Sequence, residues 1–337
     1  MTDYAVVEAT GSGRLRCATR ELRHPAADQI RIRVEACGIC RTDTLTVNAP
    51  ARPDGALTPG HEIIGVVDAV GDGVTRFAIG DRAGVGFLNG HCGVCEPCRR
   101  GRFTSCLNQG HTGLSLDGGY AEVAYARESG AVRIPDSLNS VEAAPLLCAG
   151  LTVYNALAGI AARPGALVAV QGIGGLGHLA IQYAAAMGYR VAAISRGADK
   201  EAGARGLGAD HYIDASATDP AAALSGLGGA SAVLSTAVSS DPESSLLPGI
   251  EPGGQLVVIG AEGHTISAAP LHLMFGSRTI RGTLTGSSID NEDNLAFAAR
   301  MGIRSHNEVF ALSTASEAYA RMDSGAARFR VVLDTTR

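Results

Sequence analysis

From the start of the chain to about position 140 the apolar positions fall in short runs, QIRIRVEA, EIIGVVDAV and YAEVAYA, separated by the turn signals DG, GDG and DGG. Runs of this length, punctuated by glycine and aspartate, predict β-strands joined by tight turns, and so a compact barrel-like domain. From about position 165 the pattern changes. The apolar runs ALVAVQG, RVAAIS, HYID, SAVLSTA, QLVVIGA and TIRGTL alternate with helical stretches such as GLGHLAIQYAAAMG and ADKEAGARGLGA. Strands alternating with helices predict a doubly wound parallel sheet. Beyond about 285, DNEDNLAFAARMG and ASEAYARMDSG read as helices, and FRVVLDT as an end strand placed to complete the first domain. The most apolar window, VEAAPLLCAGLTVYNALAGIAA at 141–162, has the length of a membrane helix. Glu142, Pro145, Thr152 and Asn155 interrupt it, and a buried helix is the expectation.

Composition sharpens this picture. A chain of 337 residues exceeds the usual size of one core, which predicts two domains. With 46% hydrophobic and 18% charged residues it is globular, and a net charge of −5 gives no electrostatic footprint for nucleic acid. Only Arg99, Arg100 and Arg102 cluster, so the expected partner is a small molecule. The start, MTDYAVVEAT, has an early acid and no basic region before an apolar stretch, unlike a signal peptide, and the expected location is the cytoplasm. There the thiol pool keeps cysteines reduced, so the eight cysteines favour metal binding over disulfides.

Cys92, Cys95, Cys98 and Cys106 supply four soft ligands in one short segment, enough to close a tetrahedral zinc shell. Such a closed site stabilises a loop and leaves no position for substrate. Gly93, Pro97 and Gly101 suit turns that bring backbone N–H groups to the sulfurs. A redox CxxC or a set of unconnected buried thiols would not account for the fourth cysteine. Elsewhere, Cys40 lies in CGICRTD, Cys148 in PLLCAG and His61 in PGHEIIG. Each has an ordinary reading as a core thiol or a satisfied histidine, but together a Cys–His–Cys set would leave one coordination position open, the arrangement of a catalytic zinc.

VAVQGIGGLGHLAIQYA places Gly172, Gly174 and Gly177 in the GxGxxG spacing, after an apolar strand and at a helix start. Gly175 and Leu176 complete the loop, which predicts a pyrophosphate site at a helix N-terminus. The acid expected about 20 residues on, at the second strand's end, is replaced by Ser195 and Arg196 in RVAAISRGADK. Without a carboxylate nothing there repels a 2′-phosphate, and a guanidinium can bind one, so NADP(H) is expected over NAD(H). The alternative is a solvated turn, with Asp199 reaching the ribose.

GHEIIGVVDAVGDGV, CGICRTD, the four-cysteine lobe, PLLCAG and GIGGLG together resemble the zinc-dependent medium-chain alcohol dehydrogenases over nearly the whole chain. The resemblance implies a GroES-like catalytic domain at 1–149 and 285–337, and a Rossmann dinucleotide-binding domain at 150–284. It selects Cys40 over Cys37 as a ligand, with His61 and Cys148, and makes Glu62 an alternative ligand and Asp43 the partner that orients His61. It places Arg41 and Arg330 at the cofactor phosphates, although Arg330 also reads as a solvated strand end, and Phe87 on the substrate-pocket wall. Thr42 becomes the group that takes the alcohol proton.

Several relatives carry a histidine three positions after that hydroxyl, where this chain has Leu45. His91, His111 and His178 stay unassigned, and Tyr120 reads as a barrel residue. The expected activity is zinc-dependent hydride transfer between NADP(H) and an alcohol, aldehyde or ketone, with two zincs per chain, in a homodimer or homotetramer. The nearest alternative is reduction of an imine, iminium or conjugated double bond, and one of another class is a non-catalytic zinc-stabilised nucleotide-binding scaffold. An open three-ligand set argues against the scaffold.

Overall fold

The computed structural model describes residues 3–53, 55–236, 244–260 and 265–337. They form two compact units, Met1–Leu151 with Thr285–Arg337, and Thr152–Leu284.

In the first unit the strand Gln29–Ile39 is central. Ile30, Ile32 and Val34 turn inward while Arg31 and Arg33 between them are less buried, the period-two pattern of a sheet with one face on a core. It pairs antiparallel with Glu62–Val70, with Val123–Arg127 and with the C-terminal strand Arg330–Asp334. Arg82–Val85 and Ala131–Arg133 extend the sheet on one side and Asn307–Ala311 on the other. Ile30, Ile32, Ile63, Val67, Val85 and Val331 meet in one core beneath this sheet. The register sets Val331 against Ile39 and Gly38 against Glu62, so the C-terminal strand and the His61–Glu62 segment flank the same strand end.

The apolar window differs from a single buried helix. It begins as Ser140–Ala143, capped by the Asn139 side chain, tightens into a 3-10 turn at Ala144–Leu147, and resumes as Ala149–Ala158 with a 52° bend. Pro145 supplies no backbone donor, and Cys148 at φ −125°, ψ −69° lies outside helical geometry. The carbonyls of Leu146 and Leu147 are instead satisfied by the amides of Asn294 and Asn291, from the helix Ser288–Met301. This break presents the Cys148 side chain. Among the described residues no single helix is long and apolar enough to cross a membrane.

The second unit is a six-stranded parallel Rossmann sheet. Taken in chain order its strands lie third, second, first, fourth, fifth, sixth, from His211–Asp214 at one edge to Thr279–Gly282 at the other. The inner strands Leu167–Gln171 and Ala230–Ser235 are buried along their whole length, as expected of a parallel sheet covered on both faces. The Thr236 hydroxyl donates to the Gln171 carbonyl (2.8 Å), and the Ser235 hydroxyl to Gln171 Oε1 (3.0 Å). These bonds join the ends of the first and fourth strands, where doubly wound sheets reverse direction and bind ligands.

Candidate active site

Cys40 follows the central strand and starts a 3-10 turn, Arg41–Asp43. The Asp43 carboxylate folds back so that Oδ2 accepts the Cys40 N–H at 2.9 Å, while Oδ1 lies 2.8 Å from His61 Nδ1. One short turn thereby fixes one thiol and one imidazole. Glu62, the first residue of the next strand, crosses Gly38, where a Cβ would sit 1.9 Å from its Oε2. That gap lets Glu62 Oε1 pair with the Arg330 guanidinium. The ligand atoms of Cys40, His61, Glu62 and Cys148 all lie within 4.8 Å of one another.

Two atoms of this ring, His61 Nε2 and Glu62 Oε2, are buried with no hydrogen-bond partner. Leaving a buried polar atom unpaired costs roughly 1–3 kcal/mol. Two such acceptors beside two thiols form the donor set that a tetrahedral zinc satisfies, with His61 binding through Nε2 because Nδ1 faces Asp43. The residues present therefore fit the metal.

The four members differ electrostatically, and only Cys40 is shifted toward the deprotonated form that a metal ligand takes. A hydrogen bond from Cys148, with the His61 and Arg330 charges and against burial, holds the Cys40 thiol well below its ordinary value. The same bond, with burial, pushes Cys148 up. Burial opposes charge on His61, but the Asp43 and Cys40 charges outweigh it and raise the imidazole well above its usual range. Burial lifts Glu62 to about 7 although Arg330 pulls it down.

In the four-cysteine lobe the sulfurs also lie within 4.8 Å of one another. Here the support is local. Backbone N–H groups of Cys92 and Asn108 donate to Cys106 Sγ, each at 3.4 Å. Asn108, then the Val94 and Cys95 backbone, lower Cys92 to about 5, and the Leu107 and Cys98 backbone lower Cys95. Burial and the neighbouring sulfurs push Cys98 up to about 12. All eight cysteines are free thiols.

In the second unit, Gly172 adopts φ 89° at the end of the first strand, and the helix Gly177–Ala186 starts within the loop. A Cβ at Gly177 would lie 1.8 Å from the Gly172 carbonyl, so the helix can pack this closely only with glycine. At Gly174 a Cβ would meet open space, so the protein itself does not demand glycine there. A closely approaching pyrophosphate would. His178 is buried, its Nδ1 3.0 Å from the Gly174 carbonyl, which makes it part of the loop's scaffold. Ser195 ends the second strand. Lys200 Nζ donates to its hydroxyl at 3.3 Å and to the Arg196 carbonyl at 3.1 Å, and Asp199 is exposed.

Residues 26–136 match the alcohol dehydrogenase GroES-like domain and residues 175–300 the zinc-binding dehydrogenase family. The chain belongs to the family of zinc-dependent medium-chain dehydrogenases/reductases. Its sequence is 44% identical over 334 residues to the alcohol dehydrogenase patD of Penicillium expansum, covering 98% of this chain and 96% of that protein. A cinnamyl alcohol dehydrogenase of Sorghum bicolor superposes with a TM-score of 0.89 at 32% identity, covering 99% of this chain and 98% of the other. A CAD from Helicobacter pylori complexed with NADP(H) does so at 0.88 and 25% identity, covering 100% and 99%.

Within this dehydrogenase the remaining residues fall as follows. Thr42 Oγ1 lies 3.7 Å from Cys40 Sγ. The Phe87 ring meets the His61 ring edge-on at 5.3 Å and the His111 ring at 4.9 Å, which puts it beside the ring of Cys40, His61, Glu62 and Cys148. His91 lies against Phe103 in the lobe. Arg41 is half-exposed, 3.4 Å from Asp323. Arg330 is not a solvated strand end: it is 7% exposed, and its guanidinium pairs with the Glu62 carboxylate. Register explains this, because the C-terminal strand pairs beside Ile39.

Two residues escaped the sequence reading. Tyr120 is no mere barrel filler, since its hydroxyl donates to Asp43 Oδ2 at 2.8 Å. Lys200 had a signal that could have been used: it is the only lysine among the 28 lysines and arginines of the chain.

Proposed function

We propose that the protein oxidises and reduces an alcohol–aldehyde or alcohol–ketone pair with NADP(H), holding a catalytic zinc at Cys40, His61 and Cys148 and a structural zinc at the lobe. The observation that carries this reading is the ring itself, two thiols facing the orphaned His61 Nε2 and Glu62 Oε2. When bound, zinc supplies a Lewis acid for the substrate oxygen and the dinucleotide supplies or accepts the hydride.

This chain's residues do the rest. Cys40, His61 and Cys148 fix the metal, Asp43 sets the His61 ring, and Glu62 stands by as a further ligand. Phe87 forms an apolar wall that keeps water from the reacting carbon. Thr42 takes the proton released by the alcohol as hydride leaves its carbon, and returns it in the reverse direction. Leu45, 59% exposed, offers no imidazole to carry that proton outward, so it passes to solvent. That same feature favours a second reading, reduction of an imine, iminium or conjugated double bond, in which the relay matters less.

Structures of both NADP-bound and NAD-dependent relatives share this fold, so the cofactor choice rests on this chain. The Lys200 ammonium, held between the Ser195 hydroxyl and the Arg196 carbonyl, and the Arg196 side chain next in sequence supply cations at a position that carries serine where an acid is expected, which supports a 2′-phosphate. Free thiols support a cytoplasmic location. A homo-oligomer is supported by the exposed edge strand Thr279–Gly282, whose open backbone invites a partner strand, and by the exposed Leu271, Met274, Phe275 and Leu284 near it in sequence.

The deciding experiment is NADPH consumption against a panel of aldehydes, ketones and imines, together with metal analysis. Two zincs per chain and turnover of carbonyls are expected. One zinc, lost in Cys106→Ser and unaffected by Cys40→Ser, would remove the catalytic metal from the scheme, and turnover of imines alone would install the second reading.

A further inference from the structure

The segment Gly118–Tyr120 runs alongside the residues that lead into His61. Gly118 N–H donates to the Thr58 carbonyl (2.7 Å), Tyr120 N–H to that of Pro59 (3.0 Å) and Gly119 N–H to that of Gly60 (3.0 Å). Gly60, immediately before His61, has φ 96°, and a Cβ there would lie 2.4 Å from the Tyr120 ring. The Tyr120 ring therefore rests on the backbone that delivers His61. Its hydroxyl, fully buried, donates to Asp43 Oδ2 at 2.8 Å, the oxygen that also accepts the Cys40 N–H. With Oδ2 taken by two donors, Oδ1 is the oxygen left for His61 Nδ1.

We propose that Tyr120 is a positioning residue for the metal ligand His61, clamping it through the Asp43 carboxylate on one side and through the Gly60 backbone on the other. This rests on the zinc reading of Cys40, His61 and Cys148. The physical consequence is specific. A carboxylate with one oxygen doubly occupied cannot rotate without breaking two hydrogen bonds, one of them fully buried, so the imidazole it faces keeps both its orientation and its tautomer. Both are required for Nε2 to point its lone pair into the ring. Asp43 thus acts as a hub between a backbone N–H, a phenol and an imidazole brought from three segments.

The test uses the full-length protein loaded with both zincs. Tyr120→Phe keeps the ring against Gly60 and removes one oxygen. Zinc release to a chelator is followed with the lobe metal as internal reference, and cobalt(II) is then substituted at the catalytic position for its visible spectrum. Catalytic-site metal should leave about 10-fold more readily, the cobalt bands should shift, and the lobe metal should be unchanged. Steady-state kinetics should show kcat reduced with the KM for cofactor preserved. Tyr183→Phe, altering another fully buried tyrosine in the dinucleotide unit, should leave all of these as in the parent protein.

Parent-like release and spectrum in Tyr120→Phe would overturn the proposal. So would failure to fold, equal loosening of both metals, or the same effect in Tyr183→Phe, each of which makes the hydroxyl a matter of general stability. A parent protein that binds only the lobe metal would overturn the zinc reading beneath it, a distinguishable result.

Discussion

The two thiol clusters differ in where their support comes from. The lobe draws four sulfurs from the single segment 92–106 and holds them with backbone N–H groups of its own loop, at Cys92, Leu107 and Asn108. The ring draws Cys40, His61 and Cys148 from three distant segments. It is held by side chains from elsewhere: Asp43 on His61, Arg330 on Glu62, and Asn291 and Asn294 on the turn before Cys148. A site wired to its own loop serves local stability, whereas one wired to several elements can be set with the precision that chemistry needs. Under the proposed function, the denser cluster of reactive groups is the less chemical one.

The strongest way to break this comparison is to remove one sulfur from each site. Cys148→Ser should cost on the order of 10³-fold in kcat/KM, about 4 kcal/mol of barrier, and one zinc of two. Its melting temperature should stay close to that of the parent protein. Arg330→Leu comes next. It strands a buried carboxylate at Glu62, which costs about 3–5 kcal/mol and lowers the melting temperature by on the order of 10 °C, while the double variant Arg330→Leu/Glu62→Gln should recover much of the loss. Thermal unfolding of the two variants checks this, and equal melting temperatures would deny the pairing its role.

Cys106→Ser should do the reverse of Cys148→Ser. Loss of the lobe metal is expected to cost about 3 kcal/mol, read as a fall of roughly 6–12 °C, with activity per folded molecule kept within about twofold. If activity instead falls in parallel with that of Cys148→Ser, the division between the sites is wrong.

The same contrast governs what could be read from the chain beforehand. The lobe and the glycine loop are written in contiguous residues, and their strands and helices follow from hydrophobic period alone. The ring needs register. That Arg330 meets Glu62 depends on Val331 pairing with Ile39, which lies near the opposite end of the chain, and no local pattern states it. Tyr120 reads as a barrel residue because its ring is one, and only its hydroxyl, which reaches a carboxylate from a distant segment, has the further task. The window at 141–162 reads as one helix because composition reports burial but not the break at Cys148, which Pro145 and the two asparagines impose together.

The smallest expected effect concerns Lys200, where the signal was compositional. A chain that answers nearly every need for a cation with arginine has kept one lysine, in the 3-10 turn Ala198–Lys200 that follows the second strand of its Rossmann sheet, with its ammonium reaching back to Ser195. An ammonium is a compact point charge with three rotatable donors, whereas a guanidinium is a wider planar fork. With Nζ already between the Ser195 hydroxyl and the Arg196 carbonyl, one donor remains, directed by the other two. Lys200→Ala should lower the preference for NADPH over NADH by about 10-fold or more, the worth of one charge-assisted hydrogen bond. Lys200→Arg keeps the charge but not the compact geometry, and the preference should drop only about threefold. Comparing kcat/KM for the two cofactors in both variants measures this. A Lys200→Arg protein as impaired as Lys200→Ala would mean that shape, not charge, selects the cofactor at this strand end.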